Sequence, residues 1–272
     1  MSSNVTLKSS VVSVNWLHDN LNANNLVILD GTINKVFDAS LKQIPNTRFF
    51  DIKNKFSNTS DPFPSAFPSQ NQFEIEARNL GINNDSTIIV YDDKGIYSSA
   101  RVWWLFKAFG YDNIAVLDGG FPEWLKARYE TEPMLIYKGE KGNFSANLQP
   151  EFMKFFNDVK NASKNKTHTI IDARSAGRFN STEAEPRVGL RMGTIPNSVN
   201  LPFTGLIENG VLKSKKDLAK AFYMVANKND AIIFSCGSGL TACVLALGAD
   251  ISGYKNISVY DGSWTEWGSL VD

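Results

Sequence analysis

The stretch "IIFSCGSGLTACVLALG", residues 232–248, decides how the chain is read. Ile232–Ser235 is a short apolar run of the kind buried on both faces of a parallel sheet. Gly237, Ser238 and Gly239 interrupt it, and from about Leu240 onward the residues favour a helix. A strand that ends in Cys236 and turns through small residues into a helix puts a thiol at a carboxyl strand end, where open α/β sheets bind their ligands. The two glycines let the backbone curl until successive N–H groups converge at the helix N-terminus, a nest for an anion. A thiolate or persulfide on Cys236 would have its charge stabilised there, with the hydroxyls of Ser238 and Thr241 in reach. The competing reading is a structural cysteine in a tight turn, since buried cysteines are common.

Internal repeats bear on that choice. "VILD" at 27–30 matches "TIID" at 169–172, and "STIIVYDDKG" at 86–95 matches "DAIIFSCGSG" at 230–239. "GYDNIAVLDGGFPEW" at 110–124 matches "GYKNISVYDGSWTEW" at 253–267, and "QIPN" at 43–46 matches "TIPN" at 194–197. The order is the same in both halves and the offset nearly constant, so the chain reads as a duplicated domain. We expect one copy over 1–137, a linker over 138–150 and a second copy over 151–272. Short apolar runs alternate with helical patterns in each copy, "NQFEIEARNLG" with Gly81 as its left-handed stop among them. This alternation predicts an α/β fold in each copy, a parallel sheet with helices on both faces. Aligned on the repeat, Cys236 falls on Asp92, so one copy keeps a thiol and the other only the turn.

Composition excludes several function classes. The chain has 272 residues, is 43% hydrophobic and balances 28 basic against 28 acidic side chains. No global charge points to nucleic acid or a membrane surface. No apolar run approaches the roughly 18 residues that a membrane span needs. A basic n-region followed by an apolar h-region is missing from the first residues, and the cytoplasm is the expected compartment. The two cysteines, Cys236 and Cys243, make neither a disulfide framework nor a paired metal site, and His18 and His168 each stand alone, so no metal and no cofactor is expected. Cys243, set in "TACVLALG", reads first as a core residue; the other reading is a redox partner of Cys236.

A second difference between the copies lies between "DAR" and "TIPN". Here the second copy carries the longer stretch "SAGRFNSTEAEPRVGLRMG" with Arg178, Arg187 and Arg191. Arginines on a loop near a strand end can grip a carboxylate in bidentate fashion. The plainer alternative is surface charge, or ion pairing with Glu183 or Glu185.

Together, "CGSGLTAC", "DARSAGRFNSTEAEPR", "VLDGGFPEW" and "YDGSWTEW" resemble the two-domain rhodanese-like sulfurtransferases, over nearly the whole chain. Within that family the neutral loop with Gly237 and Ser238 is similar to the branch that uses 3-mercaptopyruvate. The thiosulfate-using branch carries charged residues there. The resemblance implies a ping-pong enzyme in which Cys236 takes sulfur from 3-mercaptopyruvate, releases pyruvate and hands the persulfide sulfur to a thiol, thioredoxin or cyanide. It implies Arg178 and Arg187 on the donor's carboxylate and keto oxygens, Ser238 and Thr241 beside the sulfur, and the loop of Gly237, Gly239 and Leu240 around its charge. It also implies a relay of Ser, His and Asp, but the apparent Asp and His places hold Lys53 and Ser65. A cysteine phosphatase would need an Arg six residues after the thiol, where Ala242 stands. The remaining alternatives are a thiosulfate:cyanide sulfurtransferase and a non-enzymatic persulfide carrier.

Overall fold

The computed structural model describes residues 3–271, which fall into two compact units. The first takes in the chain up to Thr59, Phe67–Gln149 and Asn209–Val211; the second takes in Ser60–Ala66, Pro150–Glu208 and the chain from Leu212 onward.

The first unit is built on five parallel strands: β1 (Val11–Val12), β2 (Leu26–Asp30), β3 (Thr47–Phe49), β4 (Thr87–Tyr91) and β5 (Ile114–Leu117), in the order β1-β5-β4-β2-β3. It carries the helices α1 (Val14–Asp19), α2 (Gln70–Asn79), α3 (Ser99–Ala108) and α4 (Gly120–Lys126). All five residues of β4 are buried, which is why its sequence is continuously apolar rather than alternating. Ser69 caps α2 by accepting from the Gln72 N–H, and Gly81 takes the left-handed conformation beyond its end, with φ 67°. The stretch expected as a linker runs along this unit as ordered chain. The Gly142, Phe144 and Asn147 amides donate to the carbonyls of Arg78, Ile82 and Phe109, and Phe144 is fully buried.

The second unit repeats the plan with β6 (Met153–Lys154), β7 (Thr169–Asp172), β8 (Ser198–Asn200), β9 (Ile232–Ser235) and β10 (Ile257–Tyr260). Their order, β8-β7-β9-β10-β6, is the order of the first sheet read from its other edge. Its helices are α5 (Phe156–Asn165), α6 (Ala176–Phe179), α7 (Lys215–Tyr223), α8 (Ala242–Ile251) and α9 (Ser263–Leu270). Strand β9 is central, pairing in parallel with β7 and with β10. Helix α8 is buried from Ala242 through Ala249, as expected of a helix apolar on every side. The six residues between β9 and α8 are therefore held at both ends by the most buried elements of the unit. Among the described residues no helix is long and apolar enough to cross a membrane.

Candidate active site

Cys236 follows the last residue of β9 and is 1% exposed. Gly239 turns the loop through φ 74°, a left-handed conformation that suits a residue without a Cβ. A Cβ on Gly237 would stand 3.0 Å from a terminal nitrogen of Arg178. The missing side chain is thus what lets that guanidinium lie against the cysteine loop.

The loop is fastened from below by the turn into α9. The Cys236 and Gly239 amides both donate to Ser263 Oγ at 3.1 Å. The Ser263 hydroxyl donates to the Tyr260 carbonyl at 2.9 Å, and its oxygen is 4.0 Å from Cys236 Sγ. The Trp264 amide donates to the Cys236 carbonyl at 3.0 Å, and the Thr265 amide to the Gly237 carbonyl at 2.9 Å. Ser263 holds this place with φ 50°, a strained choice for a residue with a side chain. Neither Ser263 nor Thr265 was marked by the sequence reading, although the repeat held the signal. Their counterparts in "DGGFPEW" are Gly120 and Pro122, so the second copy has two hydroxyls and an amide that the first lacks, all directed at the cysteine loop.

These anchors leave a definite set of donors. The Gly239 amide is engaged by Ser263, but among the described residues the amides of Gly237, Ser238, Leu240 and Thr241 donate to no protein acceptor. The hydroxyls of Ser238 and Thr241, each on a residue 9% exposed, make no hydrogen bond to the described residues either. Four amides and two hydroxyls on the loop that carries the sulfur are thus the kind of donor set that stabilises negative charge. The first copy shows the same turn filled from within. The Asp92 carboxylate accepts from the amides of Lys94 at 2.9 Å and of Tyr97 and Ser99, each at 2.8 Å. Cys243 is fully buried and donates its thiol to the Gly239 carbonyl at 3.2 Å, the place of a packed core residue.

The three arginines of the long stretch part ways. Arg178 donates to Glu185 at 2.6 Å, and Glu185 also accepts from the buried Arg174 at 2.7 Å. Arg174 in turn grips Asp172. Burial alone would lower the Arg174 guanidinium; the hydrogen bonds and charge of Asp172, then Glu185, outweigh it and hold it above its ordinary value. Arg191 donates to the Val271 carbonyl and lies 4.8 Å above the Trp264 ring, which Arg174 also faces at 4.6 Å. Arg191 is thereby a packing residue. Arg187 is exposed and donates to Thr265 Oγ1 at 2.8 Å. Among the described residues no carboxylate pairs with it, so its charge is the one left for a ligand. Lys53 is exposed in the first unit, whereas Ser65 belongs to the second, at φ 60°. Asp61 is also part of the second unit, and its charge reaches Glu266.

Comparison with known proteins places this geometry among relatives. A family model described as rhodanese-like domain matches residues 13–127 and again 156–270. The 3-mercaptopyruvate sulfurtransferase of Escherichia coli (strain K12) is 35% identical, covering 96% of this chain and 95% of its own. The thiosulfate sulfurtransferase of Rattus norvegicus is also 35% identical, covering 96% and 92%. The crystal structure of SseA from Escherichia coli, a 3-mercaptopyruvate sulfotransferase, superposes with a TM-score of 0.82 at 32% identity, over 94% of this chain and 99% of that one.

Proposed function

The chain belongs to the rhodanese family, and from that premise we propose that it transfers sulfur from 3-mercaptopyruvate through a Cys236 persulfide. Identity does not separate the two donors, since relatives acting on either are equally similar. The observation that carries the choice is the loop itself. Its residues Cys236 to Thr241 carry no charged side chain; the cations reach it from outside, Arg178 against Gly237 and Arg187 through Thr265. Thiosulfate, a compact dianion, calls for positive charge at the sulfur. Mercaptopyruvate needs it a few bonds away, at its carboxylate and keto oxygen.

In this reading the Cys236 thiolate attacks the donor sulfur. The donor's C–S bond breaks and its electron pair passes to carbon, giving the enolate of pyruvate and a persulfide on Cys236. A proton taken up at carbon completes pyruvate. Arg187 binds the carboxylate; Arg178, half neutralised by Glu185, faces the keto oxygen on which the enolate charge grows. The amides of Gly237, Ser238, Leu240 and Thr241, with the Ser238 and Thr241 hydroxyls, hold the persulfide charge. Gly239 contributes the turn. An acceptor thiol, a thioredoxin or cyanide then attacks the outer sulfur and restores Cys236. No step requires metal or cofactor, and without a Ser-His-Asp relay the donor's thiol proton passes to water while Cys236 stays a thiolate for the attack.

We assign the non-catalytic copy to 1–137, the connecting stretch to 138–150 and the catalytic copy to 151–272. We place the reaction in the cytoplasm, whose reducing poise maintains thiol acceptors. Steady-state kinetics with cyanide as acceptor test the donor. A higher kcat/KM for 3-mercaptopyruvate than for thiosulfate is expected, and the reverse order would move the chain to the thiosulfate-using branch.

A further inference from the structure

Arg187 projects from an exposed stretch and yet has to meet a donor at a fixed distance from a buried sulfur. The structure shows one link between the two. Thr265 Oγ1 accepts from Arg187 Nη1 at 2.8 Å and donates to the Gly237 carbonyl, one residue after Cys236. A single hydroxyl so joins the uncompensated cation to the cysteine loop. Thr265 is itself 7% exposed and fixed on the first turn of α9. Its backbone amide holds the same carbonyl independently, at 2.9 Å. The non-catalytic copy has Pro122 at the equivalent place, which can supply neither bond.

We propose that Thr265 is a positioning residue for the donor half-reaction: it sets where Arg187 meets the donor's carboxylate relative to the Cys236 sulfur. The role rests on the reading of Arg187 as the carboxylate-binding group. Arg178 does not need such a tether, because Glu185 already fixes it with two hydrogen bonds. Arg187 without Thr265 would keep its charge but lose its direction, and a bidentate grip depends on direction.

In a ping-pong enzyme the two half-reactions are measured separately, and this makes the role distinguishable from mere support of the loop. Thr265→Val preserves shape and the amide bond to Gly237 while removing the hydroxyl. We expect kcat/KM for 3-mercaptopyruvate to fall on the order of tenfold, about 1.4 kcal/mol, mostly through KM. Discharge of preformed Cys236 persulfide to cyanide should stay within about twofold, well below that tenfold step, and Thr265→Ser should restore donor kinetics. Equal loss in both half-reactions would show that Thr265 only supports the loop, and no loss in either would show that Arg187 needs no tether; each overturns the proposal. The wild type is the control for the function itself. If it takes sulfur from thiosulfate and not from 3-mercaptopyruvate, the donor assignment and the carboxylate role of Arg187 fail together, while the same split measured with thiosulfate decides separately whether Thr265 directs Arg187 toward the donor's anionic oxygens. If neither donor loads Cys236, both fail together.

Discussion

Replacing Ser263 by alanine is the sharpest perturbation of the site that leaves its reacting groups untouched. The Ser263 oxygen is the acceptor for two buried loop amides, those of Cys236 and Gly239, both at 3.1 Å. Its residue is fully buried, so water cannot replace it. A buried donor left without a partner costs about 1–3 kcal/mol, and two of them together about 3 kcal/mol. Ser263→Gly loses the same acceptor but relieves the left-handed strain at φ 50°, worth roughly 1 kcal/mol. The glycine variant should therefore be no less stable than the alanine variant, even though glycine usually ranks below alanine. Amide hydrogen exchange reads the effect where it arises. The Cys236 and Gly239 amides should lose roughly a hundredfold in protection, as about 3 kcal/mol implies. Urea unfolding should show the same ranking at unchanged slope. An alanine variant within about 0.5 kcal/mol of wild type, the range of neutral surface changes, would refute the view that Ser263 holds the loop closed. So would a glycine variant clearly worse than alanine.

Other consequences follow from the same contacts. Glu185→Gln should destabilise the second unit by about 3 kcal/mol, because the buried Arg174 and the neighbouring Arg178 would share an uncharged partner; chemical denaturation of the variant checks this. Asp92→Asn should cost about 2 kcal/mol, since its NH2 would replace one of the two accepting oxygens and leave at least one of the three amides that the carboxylate now satisfies facing a donor, and thermal unfolding reads it. Burial first, then the charges of Asp261 and Asp61, raise the Glu266 carboxyl above its ordinary value. The folded state thus binds that proton more tightly than the unfolded chain, a stabilisation complete below the unfolded value of about 4.5 and lost as pH climbs through the raised one. Glu266→Gln should accordingly melt higher than wild type at neutral pH, with the difference vanishing as pH falls to about 4, below that unfolded value.

The two sheets were legible in the sequence because apolar runs such as Ile88–Tyr91 and Ile232–Ser235 occur twice in the same order, and burial on both faces leaves that mark. Cys236 was legible because a strand-end thiol beside two glycines stood opposite an aspartate in the repeat. The anchors beneath it were not. Ser263 and Thr265 act across more than twenty residues of sequence, and no spacing rule connects them to the loop. Only the substitution pattern between the copies, Gly120 to Ser263 and Pro122 to Thr265, marked them. The arginines were visible as a group, but their division of labour depends on which one finds a carboxylate. Glu185 takes Arg178 and Arg174, and Arg191 turns to the Val271 carbonyl. The inclusion of Ser60–Ala66 in the second unit and Asn209–Val211 in the first likewise has no periodic signal. Such segments are placed by contacts distant in sequence.

Intact-protein and peptide mass spectrometry after brief exposure to 3-mercaptopyruvate reads the first half-reaction on the nucleophile itself. A Cys236 persulfide predicts the gain of one sulfur atom on the Cys236 peptide, with stoichiometric pyruvate, and no gain in Cys236→Ser. Sulfur on Cys236 from thiosulfate alone would contradict the donor, and no sulfur from either would contradict the persulfide chemistry itself.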